Sequence, residues 1–188
     1  MIRFFLFILT FFAGIQLLSA PSSSAAMPPA PLPQTGQTSC WDSNGNVIDC
    51  AGTGQDGDKP RGVPWPIPRF VDNADGTVTD KLTNLIWLKN ANCFGGQQWA
   101  TAVASARALA SGQCGLTDGS TAGQWHLPSR NELESLVNRQ QASSADWLNS
   151  QGFTAVQAAV YWSGSTSAYG TGYAWNRGHV LWQRELLQ

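Results

Sequence analysis

Short runs of alternating apolar and polar residues follow Arg69, in the pattern of strands joined by turns. Arg69–Asp72 and Thr77–Asp80 flank the turn segment Asn73–Gly76, which predicts a hairpin with its glycine at a positive φ. The apolar run Leu85–Leu88 predicts a buried strand after this hairpin.

The apolar spacing changes to that of helices in the middle of the chain. In Gln98–Ser111 the apolar residues recur every three or four positions, which predicts a helix with Gly112 at its C-cap. Ser129 and Glu132 are spaced as a capping box, which predicts the start of a second helix. Ser144–Asn149 predicts a short third helix.

The tail returns to the strand pattern. Val160–Ser163 and Tyr173–Trp175 predict two strands joined by a turn rich in Gly, Ser and Tyr, with Trp162 and Trp175 in the core. Strands, then helices, then strands predict an α+β fold.

Residues 1–26 predict a signal peptide. Arg3 precedes an apolar run that ends near Leu18, and Ser24 with Ala26 provides the small residues required before a cleavage site. An uncleaved membrane anchor is the alternative, because the run reaches the lower length limit for a membrane span. Cleavage would leave an exported chain in the periplasm, at the cell surface or outside the cell, with no membrane segment.

Three further segments follow the predicted signal peptide. Residues 27–39 are rich in Pro and small polar residues and predict a linker. Residues 40–68 predict a disulfide-closed hairpin followed by an irregular leader, because prolines remove backbone donors there. Residues 69–188 predict the folded domain.

Charge and composition exclude a nucleic-acid binder. The formal net charge is −1 and charged residues make up 12% of the chain, so the sequence lacks the basic stripe that contacts phosphates. The 9 Trp and 19 Gly residues instead predict a loop-rich globular domain with an aromatic core.

Four cysteines, an even number, fit an exported domain stapled by disulfides. Three connectivities are open, and we favour the two local pairs, Cys40–Cys50 and Cys93–Cys114. No two cysteines are spaced C-x-x-C and the two His residues are far apart, so we expect no metal site.

The sequence contains no motif for catalysis. It has no G-x-S-x-G elbow, H-E-x-x-H pair or P-loop, so we expect neither an enzyme nor a cofactor. Asp72–Thr77 is similar to the start of a calcium-binding loop, but Leu82 stands where a bidentate Glu is required, which favours a plain turn.

Aromatic and small polar residues are concentrated near the tail. Aromatic faces stack on sugar rings, and hydroxyl and amide groups bond to sugars or to proteins. The candidate ligand loop is Gly164–Gly172. The candidate ligand-binding residues are Ser165, Thr166, Tyr169, Tyr173 and Asn176.

An ordered series of motifs runs through the predicted domain. It consists of Arg69–Asp80, Leu82–Leu88, Cys93, Cys114–Ser120, Trp125–Leu133, Tyr161–Ser163 and Tyr173–Trp175. In this order the motifs resemble the Lcl C-terminal domain family of bacterial exported domains. The resemblance implies a C-type-lectin-like fold with two helices and a twisted antiparallel sheet, and a role in surface adhesion or ligand binding.

The resemblance leaves the ligand open. We expect a glycan or a protein surface as the partner, and the alternative is a structural or accessory subunit of a surface assembly that binds only proteins. The adhesin that gives the family its name binds sulfated glycans. We do not expect these as ligands here, because acidic residues outnumber Lys and Arg and no basic cluster is present.

The C-terminus departs from the family pattern. The chain ends at Gln188 without the expected closing strand, and residues 176–188 offer at most a shortened strand or a helix. A missing strand would expose a sheet edge, and a second copy pairing with that edge would give a homo-oligomer.

Overall fold

The computed structural model describes residues 32–168, 173–177 and 184–186, all in one structural unit, so the predicted signal peptide lies outside the described residues. The described part is α+β, as predicted, with small antiparallel sheets. Its strands are β1 (Cys40–Trp41), β2 (Val47–Ile48), β3 (Phe70–Asp72), β4 (Thr77–Asp80), β5 (Leu85–Leu88), β6 (Tyr161–Thr166), β7 (Tyr173–Arg177) and β8 (Arg184–Leu186). Its helices are α1 (Trp99–Ala108), α2 (Arg130–Ser135) and α3 (Ser144–Ser150).

The first sheet has the order β3-β4-β5 and confirms the predicted hairpin. Gly76 in its turn has a φ of 88°, a conformation that other residues rarely adopt. Strand β5 is not the buried strand that the sequence predicts. It forms one edge of the sheet and Ile86 is 58% exposed, because its apolar residues line an open groove.

Helix α1 ends earlier than its sequence pattern predicts. The pattern extends to Ser111 with Gly112 as the C-cap, whereas the helix ends at Ala108 and Leu109 has an extended backbone. Leu109 is only 3% exposed, so leaving the helix buries this side chain. Gly112 donates its N–H to the carbonyl oxygen of Leu116 at 2.8 Å and belongs to the following loop.

Helix α2 begins at the capping box that the sequence predicts. The Ser129 hydroxyl accepts the N–H of Glu132 at 3.3 Å, and the Glu132 carboxylate accepts the N–H of Ser129 at 2.6 Å. A third bond comes from β6, where the Ser165 hydroxyl accepts the N–H of Arg130 at 3.1 Å. These bonds satisfy backbone N–H groups that have no partner within the helix.

Replacing Ser129 with alanine is expected to lower the free energy of unfolding by about 1 kcal/mol, because the N-cap acceptor is lost. Denaturant unfolding measures this change. Ser43→Ala is the matched control, since the Ser43 hydroxyl is exposed and has no hydrogen-bond partner among the described residues. Equal unfolding midpoints for the two variants would show that the cap does not stabilise the helix.

Strands β6, β7 and β8 form the second sheet in that order. Of the two alternatives for the tail, the structure shows the shortened strand, as β8 (Arg184–Leu186). Tyr173, Ala174 and Trp175 pair with Leu186, Glu185 and Arg184, so β8 rather than β7 forms this edge of the described sheet.

The inward and outward faces of β6 are the reverse of those expected. Ser163 is fully buried, whereas Trp162 is only half-buried although it is expected in the core. The indole Nε1 of Trp162 donates to the carbonyl oxygen of Gln97 at 2.8 Å, which fixes the ring beside the loop before α1. The side chain of Trp175, the other expected core residue, lies outside the described part.

Both predicted disulfides are confirmed. Cys40–Cys50 closes the β1–β2 hairpin with its Cα atoms 5.2 Å apart, and Cys93–Cys114 links the loop after β5 to the loop after α1 with its Cα atoms 5.6 Å apart. Both separations lie in the usual range for a disulfide.

Residues 32–39, the described part of the predicted linker, are attached to the domain. The Gln140 side-chain oxygen accepts the N–H groups of Thr38 and Ser39 at 2.8 and 3.0 Å. The N–H of Arg139 donates to the carbonyl oxygen of Thr35 at 2.9 Å. These backbone contacts hold the segment against the chain that follows α2.

The core cluster joins the first sheet to α3. It consists of Phe70, Val78, Leu148 and Phe153. The ring of Phe70 lies edge-on to that of Phe153, with centroids 5.3 Å apart. Because Leu148 and Phe153 also line the groove beside β5, the core forms part of its floor.

Candidate functional site

A large, mostly apolar groove lies between β5 and helices α2 and α3. Its volume is about 1090 Å³, just above the ~300–1,000 Å³ typical of small-molecule sites. All four residues of β5 line it. Successive side chains of a strand point to opposite faces of its sheet. Because residues from both faces of β5 line the groove, the groove borders the free edge of this strand.

Among the described residues, six aromatic and seven amide side chains line the groove. The aromatic lining residues are Trp87, Phe94, Trp125, Phe153, Tyr161 and Trp162. The amide lining residues are Asn90, Asn92, Gln97, Gln124, Asn138, Gln141 and Gln157. Pockets with this mixture of rings and a few hydrogen-bonding groups are typical of ligand sites.

Two of the tryptophans are held in fixed orientations. Trp125 Nε1 donates to the Ser120 hydroxyl at 3.0 Å, and Trp162 Nε1 donates to the Gln97 carbonyl oxygen at 2.8 Å. A ring whose N–H is already bonded cannot turn without breaking that bond, so both indoles present rigid faces. Phe94 has no such anchor and is 41% exposed.

The cystine and the turn after β5 shape one lip of the groove. Residues 90–97 line it continuously and contain Cys93, whose disulfide to Cys114 ties this lip to the loop after α1. At the base of the lip, Ala91 N–H donates to the Thr154 carbonyl oxygen at 3.0 Å. The lip is therefore held at Ala91 and Cys93 before Phe94 and, through the Trp162 indole, at Gln97 after it, which keeps the Phe94 backbone in place beside the groove.

The charged groups on the groove lining are few and already bonded. Asp118 accepts the N–H and the hydroxyl of Ser120 at 3.1 and 2.8 Å. Glu132 is engaged in the capping box, and Arg139 forms an ion pair with Glu134. None of the three has a bare charge facing the groove.

Of the five sequence-predicted ligand residues, Ser165 and Thr166 have side chains that the structure describes. The Ser165 hydroxyl is engaged at the start of α2, while Thr166 is exposed on β6. Gly164–Thr166 belong to β6 rather than to the predicted loop. Tyr169 lies outside the described residues, and Tyr173 and Asn176 lie in β7 with side chains that are also outside them.

Hydrogen bonds within the chain engage the acidic residues of two turns, the Asp72–Thr77 turn noted in the sequence and the β1–β2 turn. Hydrogen bonds from Lys89 and from the N–H of Ala74 hold the pKa of Asp72 below its ordinary value. In the β1–β2 turn, hydrogen bonds from the side chain and backbone of Asn46 lower the pKa of Asp42. Within the described part of the chain, no three His, Cys, Asp or Glu side chains gather as a metal site.

Sequence reasoning missed the groove residues, Phe94 and Gln97 above all. They stand in Ala91–Gln98, which has neither strand nor helix periodicity. The available signal was local: Phe94 is an aromatic residue between a cysteine and two glycines, in a segment with no other large apolar residue.

Comparison with known proteins supports the sequence resemblance. The model of the Lcl C-terminal domain matches residues 76–183, which is more than half of the chain and includes the groove. No curated protein and no solved structure is significantly similar to the chain. In the described residues, no helix combines the length and the hydropathy needed to cross a membrane. Two disulfides, typical of oxidising compartments, agree with an exported domain. The chain belongs to the Lcl C-terminal domain family.

Proposed function

We propose that the chain is an exported, non-enzymatic binding domain that recognises a surface ligand, a glycan or a protein, at the bacterial cell surface or outside the cell. The observation that carries this proposal is the groove beside β5, with its rigid indoles and the exposed ring of Phe94. The sequence-predicted tail residue Thr166 lies on the same strand as Tyr161 and Trp162, which line the groove. It would contact the periphery of a ligand seated there.

Binding is favoured over catalysis because the side chains that hydrolysis would use have other partners. His126 Nδ1 lies 2.9 Å from the carbonyl oxygen of Leu127, and the Ser129 hydroxyl is the N-cap of α2. Glu132 is bonded to the backbone of the same cap. A nucleophile needs a base within hydrogen-bond reach, and the Ser129 hydroxyl and the Glu132 carboxylate are committed to the start of α2.

The C-type-lectin-like architecture is part of the same proposal. Its support is the family membership, the helices α1, α2 and α3 that follow the first sheet, and the disulfide that joins the lip to the loop after α1. In such a domain the binding surface is formed by loops on a rigid scaffold, and the cross-linked lip fits that description.

Phe94→Ala is expected to weaken ligand binding while leaving the fold intact, because the ring is 41% exposed and borders the groove. Val47→Ala is the matched control, since Val47 is 71% exposed on β2, outside the groove lining. Labelled protein is applied to a printed array of neutral, sialylated and sulfated glycans and to a peptide array. We expect Phe94→Ala to lower the wild-type signals by roughly tenfold, and Val47→Ala to preserve them. Equal signals from the two variants would remove the groove as the binding site.

One observation favours the alternative of an accessory subunit that binds only proteins. The Lys89 N–H donates to the Gly76 carbonyl oxygen, so the backbone of Lys89 faces β4. In an antiparallel pair every second residue bonds the partner strand in this way, and the residues between them do not. Ile86 and Leu88 therefore direct their N–H and C=O groups away from β4, where an added strand could pair with them. The alternative predicts a blank glycan array with strand-forming peptides bound.

A further inference from the structure

We infer that the groove takes an uncharged oligosaccharide, and this inference rests on the proposed binding function. It names one chemical class among the ligands that the proposal allows.

The charge pattern of the groove disfavours acidic ligands. A sulfate or carboxylate group needs a cation whose hydrogen bonds are free, and bidentate Arg is the usual partner. The Arg side chain on the described lining, Arg139, is paired with Glu134. The two lining carboxylates, Asp118 and Glu132, would repel an anion and are themselves satisfied by protein N–H and hydroxyl groups. A neutral ligand therefore fits the charges of this surface better than an acidic one.

The amide side chains supply what a neutral sugar needs. Among the described residues, the side chains of Gln97, Asn92 and Gln141 have no hydrogen-bond partner, and all three line the groove. Gln97 is half-buried, so part of its solvation is lost without a protein partner to replace it. An amide both donates and accepts, as a sugar hydroxyl does, so hydroxyl groups match these side chains without any formal charge.

The aromatic residues complete the match. The face of an aromatic ring is electron-rich, and the C–H groups on the flat side of a sugar ring carry a small positive charge, so the two surfaces pack together. Trp125 and Trp162 keep their orientations through hydrogen bonds to Ser120 and Gln97. Pre-ordered rings reduce the entropy cost of binding. Gln97 thus holds the Trp162 ring through its backbone carbonyl oxygen, and its side-chain amide stays free to bond a sugar hydroxyl.

The size of the groove favours an oligosaccharide over a single sugar. Its volume of about 1090 Å³ exceeds that of a typical site for a drug-sized ligand. Its aromatic residues come from β5, from the lip, from the segment before α2 and from β6. Several sugar rings in a row could each meet one of these surfaces, whereas one ring would meet one or two.

The test uses the full exported chain and neutral probes: maltohexaose, cellohexaose and chitohexaose, with a heparin hexasaccharide as the charged probe. Gln97→Ala is compared with Gln98→Ala, because Gln98 is exposed, adjacent and outside the groove lining. Calorimetric titration is expected to show binding of a neutral hexasaccharide. Gln97→Ala should weaken that binding by ~3–10-fold, the value of one hydrogen bond, and Gln98→Ala should leave it unchanged. Raising NaCl from about 50 to about 300 mM should change the affinity less than about twofold.

Three other outcomes would overturn the inference, and they differ in what they leave of the proposed function. Tighter binding of heparin than of every neutral probe, falling steeply with salt and lost on neutralising Arg130 and Arg139, would place an anion site on α2 and its following loop. Binding of strand-forming peptides alone, weakened by Phe94→Ala, would keep the groove as a binding site but change its ligand to protein. Binding of no probe, with Phe94→Ala and Val47→Ala indistinguishable on both arrays, would end the proposed function as well.

Discussion

Replacing Asp80 with asparagine is expected to lower the free energy of unfolding by about 3–5 kcal/mol, the usual cost of removing one partner from a buried ion pair. Asp80 is 0% exposed and Arg69 is 4% exposed. The pair is bidentate, with Arg69 Nε 2.9 Å from Asp80 Oδ1 and Nη2 2.7 Å from Oδ2. Asparagine keeps the shape of the side chain but leaves the guanidinium charge buried without its counter-charge.

The loss should be large because this pair connects several parts of the domain. Arg69 also donates to the carbonyl oxygen of Ser135 at the end of α2 at 2.7 Å. Its guanidinium lies 4.5 Å from the ring centroid of Trp65 in the leader. Asp80 in turn accepts the N–H of Leu82 and the hydroxyl of Thr83 at the turn into β5. Losing the charge therefore weakens the leader, the hairpin and α2 together.

Denaturant unfolding with Asp72→Asn as the control tests this prediction. Asp72 pairs with Lys89 at 2.5 Å, but their side chains are 41% and 31% exposed, so the control should lose less than about 1 kcal/mol. Similar losses in the two variants would mean that burial does not set the strength of the Arg69–Asp80 pair.

Features set by a few neighbouring residues could be predicted from the sequence. The capping box depends on Ser129 and Glu132 alone, and the hairpin turn depends on a glycine at the right position between two strand patterns. The local disulfides are of the same kind, because a short loop between two cysteines brings them together in most conformations. In each case the interacting atoms are close in sequence, so tertiary context has little to override.

Features that depend on distant residues could not be predicted in this way. The end of α1 is decided by the burial of Leu109, and the inward face of β6 by the bond between Ser165 and the start of α2. Serine at alternate positions looks like an exposed ligand loop in the sequence, but here its hydroxyl satisfies a helix N–H. The spacing of apolar residues in the sequence therefore predicts neither the end of α1 nor the inward face of β6.

The groove could not be predicted for the same reason, because it also depends on residues that are distant in the sequence. Its walls come from β5, the lip at residues 90–97, α2 and the first residues of β6. More than 70 positions separate β5 from β6 in the chain. The apolar run of β5 is indistinguishable in sequence from that of a central strand, since both are rich in large aliphatic residues. Only the sheet order, which leaves β5 at an edge, shows that the run borders a groove.

Gly76→Ala is expected to destabilise the domain by about 3 kcal/mol or more, through two separate effects. The φ of Gly76 is 88°, which costs about 1–2 kcal/mol for a residue with a side chain. A Cβ at this position would also lie 2.3 Å from the carbonyl oxygen of Gly115, and relieving such overpacking costs about 1–3 kcal/mol. The contact matters because the hairpin turn is docked there, with the Thr117 N–H donating to Asp75 O at 2.8 Å.

Gly119→Ala separates the two effects in the same unfolding measurement. Gly119 has a φ of 74°, but an added Cβ would have open space around it, so this variant carries the backbone strain without the clash. It should lose only about 1–2 kcal/mol, and the difference between the variants measures how tightly the turn docks on the loop after α1. If both variants lost the same amount, the turn could move away from Gly115 at little cost. The lip, which Cys93–Cys114 ties to that loop, would then be free to shift with it, and the groove would lack the rigid wall that the binding proposals require.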